Sequence, residues 1–315
     1  KWTLSLSAPL RWTGYTGVGF SRISVNPSLS IIYKLNYAWR FTVHASYKER
    51  YGEMTDLYDR PYQTDYRNSV WNCGILPVYR QQLYSVYGEY KNTAREFFAT
   101  VNLTHNREWY NRIYEQRIEN GQVQRVSLPL SNHGSGYTVK STLSKGFYDL
   151  GLKTSFLALL NISKAEQISG GQRLPYQYRL MRLEPKVIWT PNRHWETSYQ
   201  TDIRYGGSKI GERTRLAPLW NVIQQVQLSY IFSPIEASLS VDHYHNDVNE
   251  DQSVNAVFAD FSVSWKSGRW QITATATNLF DKRTYAYTRY ASLESYTSWV
   301  RIRPREFLVA IRYRL

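Results

Sequence analysis

The sequence predicts an all-β fold, a transmembrane antiparallel β-barrel, and three observations support this prediction. Polar and apolar residues alternate in one segment after another, which is the side-chain period of a strand and not of a helix. Long and short connections alternate strictly along the chain. Aromatic residues make up 16% of the 315 residues, with 27 Tyr and 11 Trp, as expected of strands that end at two membrane interfaces.

The alternation is clearest at residues 39–47, where nine residues change polarity without a break. Residues 235–242, 257–266 and 270–277 repeat it. A chain built almost entirely of such strands places one face against hydrocarbon and the other against water. No apolar run reaches the roughly 18 residues that a membrane-spanning helix needs, so strands must make any crossing.

Reading the alternating windows in order gives about fourteen strands of about ten residues each. Short connections, interpreted as periplasmic turns, are predicted at residues 36–37, 92–94, 145–146, 191–194, 233–234 and 266–268. Long polar connections, interpreted as outer loops, are predicted at residues 11–26, 50–77, 107–134, 163–175, 206–219, 246–253 and 281–298. Soluble sandwiches mix loop lengths at both ends, so this order favours a membrane barrel whose last residue, Leu315, lies on the periplasmic side.

The composition of the chain limits the number of domains, the kinds of charged partner and the kinds of cysteine site that are expected. No linker or low-complexity tract divides the chain, so residues 1–315 are predicted to form one barrel domain. The formal net charge of +14 does not indicate nucleic acid, because the basic residues are spread among strands and connections. They suit a lumen that steers anions, or rims that contact the phosphates of outer-membrane lipid and lipopolysaccharide. The single cysteine, Cys73, excludes an internal disulfide and a zinc-type cysteine cluster.

Residues 276–315 resemble the C-terminal end of TonB-dependent outer-membrane receptors of the Bacteroidetes type. The residues that carry the resemblance are Asn278, Leu279, Phe280, Arg301, Arg303, Pro304 and Arg305, with a tyrosine-rich and serine-rich loop between them. Residues 144–147 look like a further hairpin of this family. The resemblance implies a barrel of about 22 strands closed by a plug domain, of which about fourteen are visible here.

The same resemblance implies a location in the outer membrane of a Gram-negative bacterium and contact with a TonB-type energy transducer through the plug. This chain contains neither the plug nor an energy-coupling segment. Active import is therefore an expectation that rests on the resemblance alone.

Arginines near the start of the last strand conflict with a simple membrane crossing. Arg301 and Arg303 share a strand face with Phe307 and Ile311. The sequence therefore predicts that this strand either rises above the bilayer at its upper end or bulges near Pro304.

Two sets of residues are candidates for contact with a solute. Six polar residues are predicted to face the lumen, namely Glu184, Glu196, Arg204, Glu236, Asp242 and Asp260. They fit a charge-paired, solvated lumen, a solute path or a surface that holds a plug. The loop tyrosines Tyr285, Tyr287, Tyr290 and Tyr296 are weaker ligand candidates, because aromatic residues also pack loops.

No catalytic site is predicted. The sequence has no nucleophile motif, no phosphate-binding glycine motif and no carboxylate pair that stands apart from the rest. His243 and His245 lie two residues apart on one strand face, but two histidines at a barrel rim do not make a metal site. We expect neither an enzyme nor a bound cofactor.

Two functions remain open at the level of sequence. The first is a receptor that imports a bulky or scarce nutrient, with metal chelates, vitamins, oligosaccharides and peptides all compatible. The second is a non-transporting outer-membrane barrel that scaffolds partner proteins, such as a surface lipoprotein, through its loops.

Overall fold

The structure is a computed structural model that describes residues 1–16, 19–119, 121–211, 214–248, 252–290 and 295–314. Two 3-10 helices, Met54–Leu57 and Tyr148–Leu150, interrupt an otherwise all-β chain. No helix in these ranges is long and apolar enough to span a membrane. The strands are β1 (Trp2–Ser7), β2 (Leu10–Tyr15), β3 (Phe20–Val25), β4 (Ser28–Lys34), β5 (Trp39–Tyr51), β6 (Tyr62–Gln63), β7 (Asn68–Trp71), β8 (Val78–Asn92), β9 (Phe97–Tyr110), β10 (Ile113–Glu119), β11 (Gln122–Leu128), β12 (Asn132–Phe147), β13 (Leu152–Ser169), β14 (Gln172–Asn192), β15 (Trp195–Ile210), β16 (Thr214–Phe232), β17 (Ile235–Asp247), β18 (Ser253–Ser267), β19 (Trp270–Thr277), β20 (Thr284–Tyr290), β21 (Ser295–Arg301) and β22 (Glu306–Tyr313).

Fourteen of these strands form one antiparallel wall. Each strand pairs with the next in the order β1, β4, β5, β8, β9, β12, β13, β14, β15, β16, β17, β18, β19 and β22. The predicted all-β antiparallel wall of about fourteen strands is thereby confirmed. Across the described residues no ladder joins β1 to β22, so the wall has two free edges there.

The ladder registers sort the side chains of the wall onto an apolar face and a polar face. Val43, Val86, Leu103, Val139 and Leu160 stand directly opposite one another across five strands of the apolar face. This row is open to the surroundings, and Leu103 has 49% of its surface exposed. Leaving such a row in water costs about 25 cal/mol for each Å² of apolar area, so the row indicates contact with hydrocarbon.

The polar face carries the intervening residues. Arg182 stands opposite Arg204, and Gln225 stands opposite Asp242. All six polar residues singled out from the sequence lie on this face, because the registers keep their parity from β14 to β18. That the polar face lines a lumen stays a prediction.

The two ends of the wall differ, and we call them the turn end and the loop end. Short connections lie at the turn end, for example at Ser233 and Pro234 between β16 and β17. The turn predicted at residues 145–146 is wrong, because these residues lie within β12, but residues 144–147 do belong to a hairpin, in which β12 pairs with β13 as far as Phe147 and Leu152. The chain turns only at Tyr148–Leu150, where Gly151 adopts φ 59°, a conformation that costs glycine little.

Two predicted outer loops, at residues 163–175 and 206–219, are mostly strand in their described residues, whereas the loop predicted at 246–253 lies between the end of β17 at Asp247 and the start of β18 at Ser253. The clearest case is β13 and β14, which continue to a tight turn at Gly170 and Gly171, with φ 59° and 74°. Continued pairing satisfies backbone N–H and C=O groups beyond the membrane as well as within it. The polar composition of these segments therefore reflects water on both faces and not the end of the strands.

The best-buried side chains lie at the loop end and not in the wall. β11 pairs with β7 in parallel and with β10 antiparallel, and β10 in turn touches β13. Ile113 and Ser127 have no exposed surface, and Val126 has 1%. The predicted loops at 50–77 and 107–134 thus contain a small sheet with a core of its own.

Two further predicted loops contain hairpins. The hairpin of β2 and β3 occupies most of the loop predicted at residues 11–26, and the hairpin of β20 and β21 overlaps the loop predicted at 281–298 and extends to Arg301. Arg301 ends β21, and β22 begins only at Glu306. The last wall strand therefore begins only after Pro304, and Arg301 and Arg303 lie outside the wall, Arg301 in the hairpin and Arg303 in the segment that follows it.

Candidate functional site at the loop end of the polar face

Asn278 joins the end of β19 to the start of the last wall strand. It has φ 51° and is 7% exposed, and asparagine tolerates this left-handed conformation better than most residues. Its Nδ2 donates to the carbonyl oxygens of Lys282, at 2.8 Å, and Arg303, at 2.9 Å. Its Oδ1 accepts from the Lys282 N–H at 2.9 Å. One buried amide thereby closes a turn and holds the chain that precedes β22.

Two aspartates complete this junction. Asp260 Oδ1 accepts the Asn278 N–H at 2.7 Å. Asp281 Oδ1 accepts the Arg305 N–H at 2.9 Å, and its Oδ2 accepts from the Arg283 guanidinium at 2.8 Å. These bonds, first the one from the Arg305 amide and then the one from Arg283, hold the pKa of the Asp281 carboxyl below its usual range. Asp281 is thus an anionic anchor for the loop.

Three aromatic rings hold the β20–β21 hairpin against the polar face. The Tyr285 ring lies 5.3 Å from that of Tyr244 and 6.3 Å from that of Phe258, and the last two lie 5.7 Å apart. All three pairs meet edge to face, the arrangement that aromatic quadrupoles favour. Asn246 Nδ2 donates to the Tyr285 hydroxyl at 2.9 Å. The hairpin therefore packs against the polar face at its loop end.

A cleft of about 410 Å³ lies between this hairpin, the Asn278 junction and the wall. Its lining includes the carboxylates of Asp242, Asp260 and Glu306, the aromatic rings of Tyr244, Phe258 and Tyr285, and Arg303 and Pro304. Asp242 accepts from Gln225 Nε2 at 3.2 Å. Carboxylates, a guanidinium and ring faces together offer hydrogen-bond acceptors, a cation and stacking surfaces to a polar ligand.

The cleft unites residues that the sequence suggested for separate reasons. Asp242 and Asp260 were predicted to face the lumen, and Tyr285 was one of the loop tyrosines considered as ligand candidates. Asn278 and Arg303 are among the residues that carry the C-terminal resemblance. Other motif residues lie elsewhere. Leu279 donates its N–H to the Ala259 carbonyl at 2.8 Å, and the Phe280 side chain is 56% exposed.

The remaining lumen candidates lie away from the cleft. Glu184 and Arg204 belong to a charge cluster on β14 and β15, where Arg182 bonds Asp202 at 2.9 Å and Glu184 at 2.5 Å. Arg204 bonds the same Asp202 at 2.6 Å. The alternation in the sequence does not reveal Asp202 as the centre of this cluster, because a period of two gives the face on which a residue lies but not its partners.

Glu236 and Glu196 lie near the turn end of the polar face. Glu236 forms an ion pair with Lys266 at 2.7 Å. Glu196 stands opposite Ser229.

A second polar cluster, centred on Glu108, was not among the sites predicted from the sequence. Its Oε1 accepts from the Tyr79 hydroxyl at 3.0 Å and from Gln81 and Asn106 at 3.1 and 2.8 Å. Its Oε2 accepts from the Tyr110 hydroxyl at 2.8 Å. The alternation of Asn106, Glu108 and Tyr110 was the available signal, but these residues fell partly inside a predicted loop.

The side chains of three of the four loop tyrosines predicted as ligand candidates, and the last residue, fall outside the part of the chain that the structure describes. The side chains of Tyr287, Tyr290 and Tyr296, and residue Leu315, lie outside the described residues. His245 contacts Asn255 at 2.8 Å and Asp247 at 3.2 Å. Within the described ranges, no group of three or more His, Cys, Asp or Glu residues is arranged to hold a metal ion.

Comparison with known proteins identifies the fold. No family model matches the chain, and no curated protein matches it. Among solved structures, the siderophore receptor PiuA from Acinetobacter baumannii is 8% identical and aligns with 90% of this chain and 49% of its own, at a TM-score of 0.51. The FrpB iron transporter from Neisseria meningitidis, in its F3-3 variant, is 9% identical and aligns with 84% of this chain and 44% of its own, at a TM-score of 0.50.

The chain thus spans about half the length of the solved structures that it matches. At such low identity the likeness concerns the fold alone. Together with the exposed apolar face, it shows that the chain has the β-barrel fold of these outer-membrane proteins.

Proposed function

We propose that this chain forms the barrel wall of a TonB-dependent receptor, of the Bacteroidetes type that its C-terminal residues resemble, and that the receptor imports a bulky or scarce nutrient. The loop-end cleft carries the proposal. It combines carboxylates of the polar face with Arg303 and with an aromatic trio, one ring of which, Tyr285, comes from the hairpin in a predicted outer loop. A ligand from outside would meet this cleft at the mouth of the barrel.

The charge cluster around Asp202 supports passage beyond the cleft. Arg182 and Arg204 share this carboxylate, so a polar solute or a plug surface can exchange partners with them without meeting a bare charge. We further propose that a plug domain carries the contact with a TonB-type transducer, and that outer-membrane lipid covers the apolar face. No catalytic or cofactor role is proposed.

The test is energy-dependent uptake by the full-length protein in its native outer membrane. A ferric hydroxamate chelate, cyanocobalamin, a maltooligosaccharide and a pentapeptide serve as labelled probes. We expect one probe class to accumulate, and accumulation to stop when the gene is deleted or a protonophore is added. Failure of all four classes to accumulate in cells with folded protein would contradict an import role.

Variants of Tyr285 connect uptake to the cleft. Tyr285→Ala removes the ring that packs on Tyr244 and Phe258, and we expect about tenfold weaker binding of the transported probe. Tyr285→Phe keeps the ring and should bind nearly as the wild type does. Tyr66→Ala, which removes a 77% exposed loop tyrosine, is the matched control.

A scaffold that binds a surface lipoprotein is the second candidate, and the loop-end sheet favours it. The buried core at Ile113 and Val126 makes this part of the surface ordered, while Ile118 is 66% exposed and Tyr66 is 77% exposed. A photo-cross-linker at Tyr66 that captures one surface lipoprotein, in cells that accumulate none of the probes, would favour this function over import.

A further inference from the structure

A groove of about 530 Å³ crosses the apolar face near the loop end, between β13, β14, β15 and β16. Gly207 forms part of its floor, directly opposite Arg179. The β15–β16 ladder shifts its register between Gly206 and Ser208, and a side chain at Gly207 would meet Pro218 at 3.0 Å. A glycine and a bulge therefore hollow out the outer surface at this point.

The groove lies where three neighbouring strands change from apolar to cationic on the same face. On β13 the order toward the loop end is Leu160, Ile162 and Lys164, and on β14 it is Met181 and then Arg179. On β15 it is Tyr205, Gly207 and Lys209. Each step of two residues is about 7 Å along a strand. This profile from hydrocarbon to charge is typical of the boundary between acyl chains and headgroups.

Aromatic side chains place the same boundary beside the groove. The rings of Tyr205 and Trp220 lie 4.5 Å apart, and Trp220 is 41% exposed on the apolar face. Tyrosine and tryptophan concentrate at membrane interfaces, where the ring is apolar and one edge is polar. Arg179 and Lys209 lie immediately beyond this pair on the loop-end side.

The cations at the groove have no acidic partner in the part of the chain that the structure describes. Lys164, Arg179 and Lys209 are exposed, and none forms an ion pair with any described residue. Arg182 and Arg204 on the polar face behave differently, since both bond Asp202. The nearest outward carboxylate on β13, Glu166, is held by Arg173 at 2.8 Å. No carboxylate of the described residues neutralises these cations, so they are open to an anion from outside the chain.

We propose that this groove binds the phosphorylated, acylated glycolipid of the outer leaflet, the lipid A part of lipopolysaccharide. A phosphate lies between Arg179 and Lys209, which are diagonal neighbours about 7 Å apart across the ladder. An acyl chain lies along Leu160 and Met181. Free phosphate would satisfy the cations but leave the apolar half of the groove empty, so the shape favours a lipid over an inorganic anion.

The groove lies on the apolar face, opposite the proposed solute path on the polar face. Lipid binding at the groove is therefore independent of nutrient import. The test uses the full-length protein, delipidated and placed in nanodiscs. Native mass spectrometry then measures binding of diphosphorylated lipid A, dephosphorylated lipid A and inorganic phosphate. We expect diphosphorylated lipid A to bind, and Arg179→Ala with Lys209→Ala to weaken it about tenfold or more.

Matched variants separate this site from general attraction by positive charge. Arg11→Ala with Arg60→Ala removes two exposed cations outside the wall and should leave lipid A binding unchanged. Arg179→Lys should retain most of it. Equal binding by the groove double variant, or equal binding of dephosphorylated lipid A, would overturn the proposal. Saturable binding of inorganic phosphate with no preference for lipid A would reject the lipid as ligand.

Discussion

At the scale of single residues, the junction at Asn278 shows how one side chain organises a site. Asn278 was notable in the sequence only for its resemblance to a family motif. In the structure its amide bonds Lys282 and Arg303, and its backbone N–H bonds Asp260. Such bonds are valuable because a buried polar group left without a partner costs about 1–3 kcal/mol.

Replacing Asn278 by alanine should therefore destabilise the protein markedly. Asn278→Ala loses three side-chain hydrogen bonds and places a Cβ-bearing residue without local compensation at φ 51°. We expect the free energy of unfolding to fall by about 3 kcal/mol, as measured by urea unfolding in lipid vesicles. Asn278→Gly loses the same bonds but relieves the backbone, and should be less costly by about 1 kcal/mol. Equal stability of Asn278→Ala and the wild type would refute this role.

Several residues of the cleft could be predicted from the sequence, but the contacts between them could not. The face on which Asp242 and Asp260 lie can be predicted from the alternation of polar and apolar residues along their own strands. The contact of Tyr285 with Tyr244 and Phe258 depends on how a hairpin folds back over the wall. No local pattern encodes that approach, because it links Tyr285 to residues 41 and 27 positions away.

At the scale of elements, each wall strand is a two-faced unit whose register matches its neighbours. Val263 stands opposite Ala237 on β17 and Ala274 on β19. The polar face of the same strand carries Ser262, which stands opposite Thr275. A shift of one residue would place every apolar side chain on the polar face, so the alternation itself sets the register.

A charge placed on the apolar face of β18 tests this assignment. Val263→Arg should lower the free energy of unfolding by about 2–4 kcal/mol, because the guanidinium would enter hydrocarbon near the middle of the membrane. Thr275→Arg, on the neighbouring strand but on the polar face, should cost about 1 kcal/mol or less. Refolding into lipid vesicles followed by urea titration measures both. Similar costs for the two variants would mean that the faces are wrongly assigned.

The loop elements were harder to predict than the wall strands. Strand length above the membrane is not limited by bilayer thickness, so β14 can extend over Gln172–Asn192 where about ten residues suffice to cross. The hairpins and the sheet around Ile113 are held by packing between separate loops. Their sequences look polar because only a few residues of each, such as Val70 and Val126, enter the shared core.

At the scale of the whole molecule, the wall is a single sheet of strands with a large accessible surface. The accessible area of the chain is 20898 Å², against about 13,600 Å² expected of a compact soluble monomer of this mass. Large apolar side chains of the wall are exposed, and every residue of β1 and β22 is exposed. In hydrocarbon, each unpaired amide on such an edge costs several kcal/mol, so both edges require partner strands.

Cysteine pairs can test whether the two edges meet each other. In a Cys73→Ser background, Leu4→Cys with Val309→Cys places one thiol on β1 and one on β22. We expect no intramolecular disulfide in the full-length protein, because no ladder joins these strands in the described residues. Val43→Cys with Val86→Cys, which stand directly opposite, should cross-link and serves as the positive control. Efficient disulfide formation between positions 4 and 309 would instead show a barrel closed at fourteen strands.

The sequence by itself determined the two-faced strands, the number of strands in the wall and the contrast between its ends. These properties are local, because the polarity of each side chain and the glycines and prolines of each turn act on their own segment. Only the tertiary structure decided which residues meet at the cleft, how the loops build a core, and that the wall has two free edges. Those properties depend on contacts between distant segments, whose free energy is shared among many residues and leaves no periodic trace in any of them.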